Sequence, residues 1–121
     1  MRDVCDFVIW SPRAYNCVAD CLANIAMDIE EDREFIDRAL LTNIASLRLC
    51  VDGGRRQDTS GGLGIAIYNV SSEATGGGST YTLIGQRSIF LKSVSSAFVV
   101  EALTLESGLE FLVSIIEGTI S

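Results

Sequence analysis

The chain has 121 residues, 48% of them hydrophobic, and a net charge of −7, which suits one folded domain with a moderate core and excludes a disordered segment. The acidity argues against a free-standing nucleic-acid binder held by phosphate neutralisation. It leaves room for a magnesium site, where cations offset acidic ligands and phosphate together.

No histidine is present, which removes Ser-His and Cys-His nucleophile systems, histidine zinc sites and histidine general bases. No apolar run approaches the ~18 residues of a membrane span. Asp3 and Asp6 stand where a signal peptide would be basic and then apolar. The expectation is an intracellular protein, of cytoplasm or nucleus, without membrane contact. Cys17 and Cys21, one helical turn apart, could make a metal pair, but Cys5, Cys17, Cys21 and Cys50 have no disulfide-framework spacing and no CxxC pair, so they read first as small buried thiols.

Val4 to Trp10 is rich in β-formers and is stopped by Ser11-Pro12-Arg13, which predicts a strand. Asn16 is a good N-cap for a helix from Cys17 to about Met27, with Val18, Leu22, Ile25 and Ala26 as its apolar stripe. Residues 28–46 read as an acidic, solvated helical linker, in which Phe35, Ile36, Ala39, Leu40 and Ile44 could make a second amphipathic segment. Leu47 to Asp52 is a strand, Gly53 to Gly62 a glycine- and charge-rich turn, and Leu63 to Val70 a second strand. Ser71 to Ser79 is a hairpin loop and Thr80 to Leu91 a third strand, so the three strands should form an antiparallel meander. Ser95 or Ser96 caps a last helix with Phe98, Ala102, Leu105, Leu109 and Leu112 at helical spacing; Gly108 weakens that helix without ending it.

Three carboxylates stand in apolar settings: Asp20 in the first helix, Asp52 at the end of a strand before Gly53-Gly54, and Glu101 in the last helix. A carboxylate there costs several kcal/mol, to order of magnitude, unless a partner or metal compensates it. Each has a plain alternative. Asp before Gly-Gly is a common turn residue, Glu101 suits a half-exposed helix position, and Asp20 suits the positive end of a helix dipole. Taken together they point to one metal site drawn from three elements. Arg55 and Arg56 could contact substrate phosphates, though a solvated turn also accounts for them.

The order strand, Asp52-Gly53-Gly54, glycine-rich strand Gly61-Gly62-Leu63-Gly64-Ile65-Ala66-Ile67-Tyr68, then helix with Val100-Glu101-Ala102-Leu103 resembles the first half of a ribonuclease H domain. Phe7-Val8-Ile9-Trp10-Ser11-Pro12-Arg13 and Asn16-Cys17-Val18-Ala19-Asp20-Cys21-Leu22-Ala23-Asn24 resemble the last strand and final helix of the same domain, in the form found in retroelement-derived proteins. Residues 1–27 thus look like the end of the domain and 47–121 like its first half, in reversed order. Either a permuted domain or a junction between tandem copies fits.

The resemblance implies an α/β, ribonuclease-H-like fold, partial or permuted, with an antiparallel three-strand meander plus helices. It implies an endonuclease cutting the RNA strand of RNA–DNA hybrids, with Mg²⁺ or Mn²⁺ as cofactor. Two metal ions roughly 4 Å apart would hold the scissile phosphate and activate water; Asp52 would bridge them, with Glu101 and Asp20 each holding one. The family's further Asp, on a fourth strand, has no counterpart in the twenty residues after Glu101. An inactive remnant or scaffold is the alternative. Without that fourth strand, the Leu47–Val51 edge would be bare, open to a homodimer or filled by Val4–Trp10 running parallel to it.

Overall fold

The computed structural model describes residues 13–38, 46–72 and 79–120. They form, in chain order, α1 (Arg13–Ile29), β1 (Arg33–Ile36), β2 (Leu47–Arg55), β3 (Gly61–Ser72), β4 (Ser79–Leu91) and α2 (Ala97–Ile120). The protein is α/β, with a four-stranded antiparallel open sheet in the order β1-β4-β3-β2. The expected meander is its β2-β3-β4 part. The expected strand at Val4–Trp10, and its pairing beside β2, lie outside the described residues.

Strand alternation sends β2 side chains to two faces in turn. Leu49 joins Ile65, Ile67, Ile84, Phe111 and Ile115 in the core under α2, with Val51 packed against it. Cys50 joins Ala66 and Tyr68 under Val18 and Leu22 of α1. The described residues therefore stack one helix on each face of the sheet.

The α1 interface is built from absent side chains. A Cβ placed on Gly64 would overlap the Ala19 carbonyl oxygen, and one on Gly62 the Ala23 carbonyl oxygen. Ala19, Ala23 and Ala26 are fully or almost fully buried. Small residues on both partners let helix and strand backbones approach closely, and Ser88 Oγ adds a hydrogen bond to the Leu22 carbonyl. The buried stripe is thus Ala19, Ala23, Ala26 and Met27, with Val18 and Leu22 half-buried beside it. Ile25, expected in the core, is largely exposed, and Asn16 lies inside the helix, which starts three residues earlier at Arg13. The helix ends with Glu30 in the left-handed region (φ 55°), its N–H bonded to the Ala26 carbonyl, the αL form of helix termination.

The acidic segment corrects the helical-linker expectation for residues 28–46. Arg33–Ile36 is a strand paired to β4, with Glu34 opposite Arg87. Arg87 donates from Nε and Nη2 to Glu34 Oε1 at 2.9 and 2.6 Å, and Asp32 Oδ1 accepts the Phe90 N–H at 2.8 Å. Local helix propensity is weak; an open strand edge carrying an arginine decides instead. Ala39, Leu40 and Ile44 lie outside the described residues.

The expected Gly53–Gly62 turn is shorter. β2 runs on through Gly53 and Gly54 to Arg55, and β3 starts at Gly61. The five residues between are held by Asp58 Oδ1, which accepts from Ser60 N–H and Oγ; these bonds lower the Asp58 pKa.

Ser96 caps α2, its Oγ accepting the Val99 N–H at 3.3 Å. The helix continues through Gly108, where a Cβ would come within 2.7 Å of Val51 Cγ1. The inner face is Val100, Thr104, Gly108, Phe111 and Ile115. The expected core stripe on Phe98, Ala102, Leu105 and Leu109 is instead exposed, and Leu112 half-buried. Periodicity alone could not orient a helix with apolar residues on both sides.

Candidate functional site

Asp52 occupies the β2 position that alternates toward α1. Its cross-strand partner is Gly64, and Gly64 is roofed by the Ala19–Ala23 turn of α1. Asp20 belongs to that turn. The glycine that lets α1 down onto the sheet thereby brings the Asp20 carboxyl within hydrogen-bonding reach of Asp52. Two carboxylates separated by 32 positions in sequence meet because of one missing side chain.

Asp52 is half-buried and Asp20 exposed. The Asp52 pKa is raised, first by partial burial, then by the hydrogen bond and charge of Asp20; the Gly53 N–H, donating to Asp52 Oδ1 at 3.0 Å, opposes the rise. Two acids in contact either share a proton or bind a cation between them. The donor set is all oxygen, which suits Mg²⁺ or Mn²⁺, so the pair fits one edge of such a site.

Glu101 is carried at the same end of β2 but on the opposite face of the sheet. Its neighbour Val100 packs against Gly53 together with Thr104, while Glu101 itself is exposed. Among the described residues, no three Asp, Glu, Cys or His side chains form a group able to hold a metal ion. The expected three-carboxylate cluster is therefore present as a pair plus one residue apart from it.

Arg55 and Arg56 each have a partner within the chain. Arg55 Nε donates to the Val94 carbonyl at 3.1 Å, and Arg56 Nη2 to Asp28 Oδ1 at 2.6 Å. The hairpin is thus pinned to the β4–α2 connection and to the end of α1. Cys50 is buried as expected, whereas Cys17 and Cys21 are exposed on α1; Cys5 lies outside the described residues. The reason is helix phase: with Ala19 and Ala23 facing the sheet, positions 17 and 21 turn outward.

Sequence inspection missed the Gly62/Gly64 seat. Its signal was visible: glycines two apart on a strand and alanines four apart on a helix present matching flat surfaces. Arg87 was also missed. It packs over the Phe111 ring at 4.5 Å while pairing with Glu34 and, at 3.7 Å, with Glu110.

No helix among the described residues is long and apolar enough to cross a membrane. Comparison with protein-family models, curated proteins and solved structures gives no match.

Proposed function

We propose that the chain is a ribonuclease-H-like unit whose chemistry is metal-dependent hydrolysis of the RNA strand of an RNA–DNA hybrid, centred on Asp20 and Asp52. The observation that supports this reading is their apposition. The two motifs that resemble opposite ends of that domain, Asn16–Asn24 and Cys50–Gly54, bring their acids into contact. A divalent cation would be held by these two carboxylates and would supply electrophilic stabilisation of the phosphate and a more acidic bound water.

The chain's own contributions follow from the fold. β2 and the Gly53 N–H orient Asp52, α1 presents Asp20, and partial burial of Asp52 strengthens its interaction with any cation. Glu101 is the third residue the resemblance assigns, at the same end of β2. Cleavage of a labelled hybrid with Mg²⁺ or Mn²⁺, by wild type and Asp52→Asn, tests the reading. Metal-dependent cutting by wild type and loss in the variant are expected; no cutting, or equal cutting by both, rejects it.

A second reading, an inactive remnant or scaffold, is favoured by the exposure of Glu101 and the absence of a three-carboxylate group among the described residues. It predicts that calorimetric titration with Mn²⁺ gives no binding that depends on Asp20 and Asp52.

A further inference from the structure

α2 is apolar on two sides and packs on one. On its outer side Phe98, Ala102, Leu105, Leu109 and Ile116 follow three-four spacing, the a/d register of a coiled-coil seam, with Leu112 at its edge packed against the core. Phe98 is 79% exposed, Leu105 36%, Leu109 41% and Ile116 40%. Single exposed apolar residues are ordinary, but a continuous stripe about 27 Å long, at 1.5 Å per residue, is an interaction surface.

Its charges select the occupant. Glu101 and Glu106 flank the stripe, Glu110 is already paired with Arg87, and Ala97–Ile120 has no lysine or arginine. A second copy would bring the same net charge of −7 and the same two flanking glutamates to the face. An anionic lipid surface is repelled on the same ground.

We propose that the outer face of α2 docks a basic amphipathic helix of another polypeptide, apolar at three-four spacing and flanked by Lys and Arg. The seam supplies the buried area and the glutamates choose the partner's sign. The inference does not depend on the chain having nuclease activity.

The test is fluorescence anisotropy of labelled, designed 21-residue peptides titrated with the full chain. One has leucines in the seam and Lys/Arg on the flanks, a second has the same seam flanked by Glu, and a third has the basic composition with the seam scrambled. The first peptide is expected to bind about tenfold or more tighter than either control, more weakly as salt rises. Leu105→Ser/Leu109→Ser should weaken it about tenfold. Phe98→Ser, at the most exposed position, should do so in part, and an unchanged urea midpoint shows that the fold is intact. Equal binding of the scrambled peptide would reduce the effect to bulk charge and overturn the proposal. So would absence of binding, no preference over the Glu-flanked peptide, or unchanged affinity in the variants. A concentration-dependent dimer in ultracentrifugation that the basic peptide does not dissociate would assign the face to a second copy. Binding to neutral phosphatidylcholine vesicles in competition with the peptide would assign it to lipid.

Discussion

Gly64→Ala is the sharpest perturbation of this architecture. The added Cβ would overlap the Ala19 carbonyl oxygen and stand 2.7 Å from the Ala23 nitrogen and 2.8 Å from the Ala19 carbonyl carbon. Ordinary carbon contacts begin at about 3.5 Å, so α1 must recede by roughly an ångström or more. All the obstructing atoms are backbone, so no side chain can rotate away. Overpacking typically costs 1–3 kcal/mol; with helix backbone on one side and a central strand on the other, the upper end applies, about 3 kcal/mol. At a urea slope of about 1.5 kcal/mol per molar, the midpoint falls by about 2 M.

The same displacement draws Asp20 away from Asp52. The Asp52 pKa, followed by carboxyl-carbon NMR, should move back toward its ordinary value of 3.8. Gly118→Ala is the control, because among the described residues the nearest atom to its added Cβ is Arg38 Nη1 at 3.8 Å; it should be neutral or slightly stabilising, as Ala for Gly in a helix is. A Gly64→Ala variant within 0.5 kcal/mol of wild type, by the ~0.5 kcal/mol scale of ordinary surface changes, would refute the seating of α1 on β3 and with it the origin of the carboxylate pair.

Three further outcomes are expected. A raised Asp52 pKa means a contribution that is fully present below the ordinary value of 3.8 and lost as pH rises through the folded-state value. Asp52→Asn should therefore be more stable than wild type at neutral pH by about 1 kcal/mol, the repulsion of two unit charges at short range in solvent. Thermal melts from pH 3 to 7 should show the gap closing as pH falls; a gap that widens at low pH contradicts the sign, and millimolar Mn²⁺ should narrow it at pH 7. Phe111→Ala empties a fully buried site under Gly85, Ile115 and Arg87 and should lose about 3–5 kcal/mol in urea denaturation; a loss under 1 kcal/mol would mean α2 does not pack on the sheet. Glu30→Gly relieves a left-handed residue at the end of α1 and should raise stability by about 1 kcal/mol, read as an increase in melting temperature; a decrease would show that Glu30 contributes through contacts and not through strain.

Several features were legible in the sequence because they are local. β-branched alternation with turn residues between marks the three-strand meander, and the serine before Ala97 marks the start of α2. Asp20, Asp52 and Glu101 stood out as acids amid apolar neighbours, and two of them meet. What was misread depends on neighbours distant in sequence. α2 has apolar residues at two phases, and only the sheet beneath it shows that Val100, Phe111 and Ile115 face inward while Phe98, Leu105 and Leu109 face out. Arg33–Ile36 has no strong strand pattern of its own; the β4 edge and Arg87 make it a strand.

The sequence by itself determined the class of the fold, the meander and the identity of the acids, since hydrophobic period and turn chemistry act over a few residues. The tertiary structure alone decided which acids touch. Contact between Asp20 and Asp52 requires α1 to sit at backbone distance over β3, which Gly62 and Gly64 permit through side chains they lack. Glu101 stays apart because α2 packs on the other face of the same sheet.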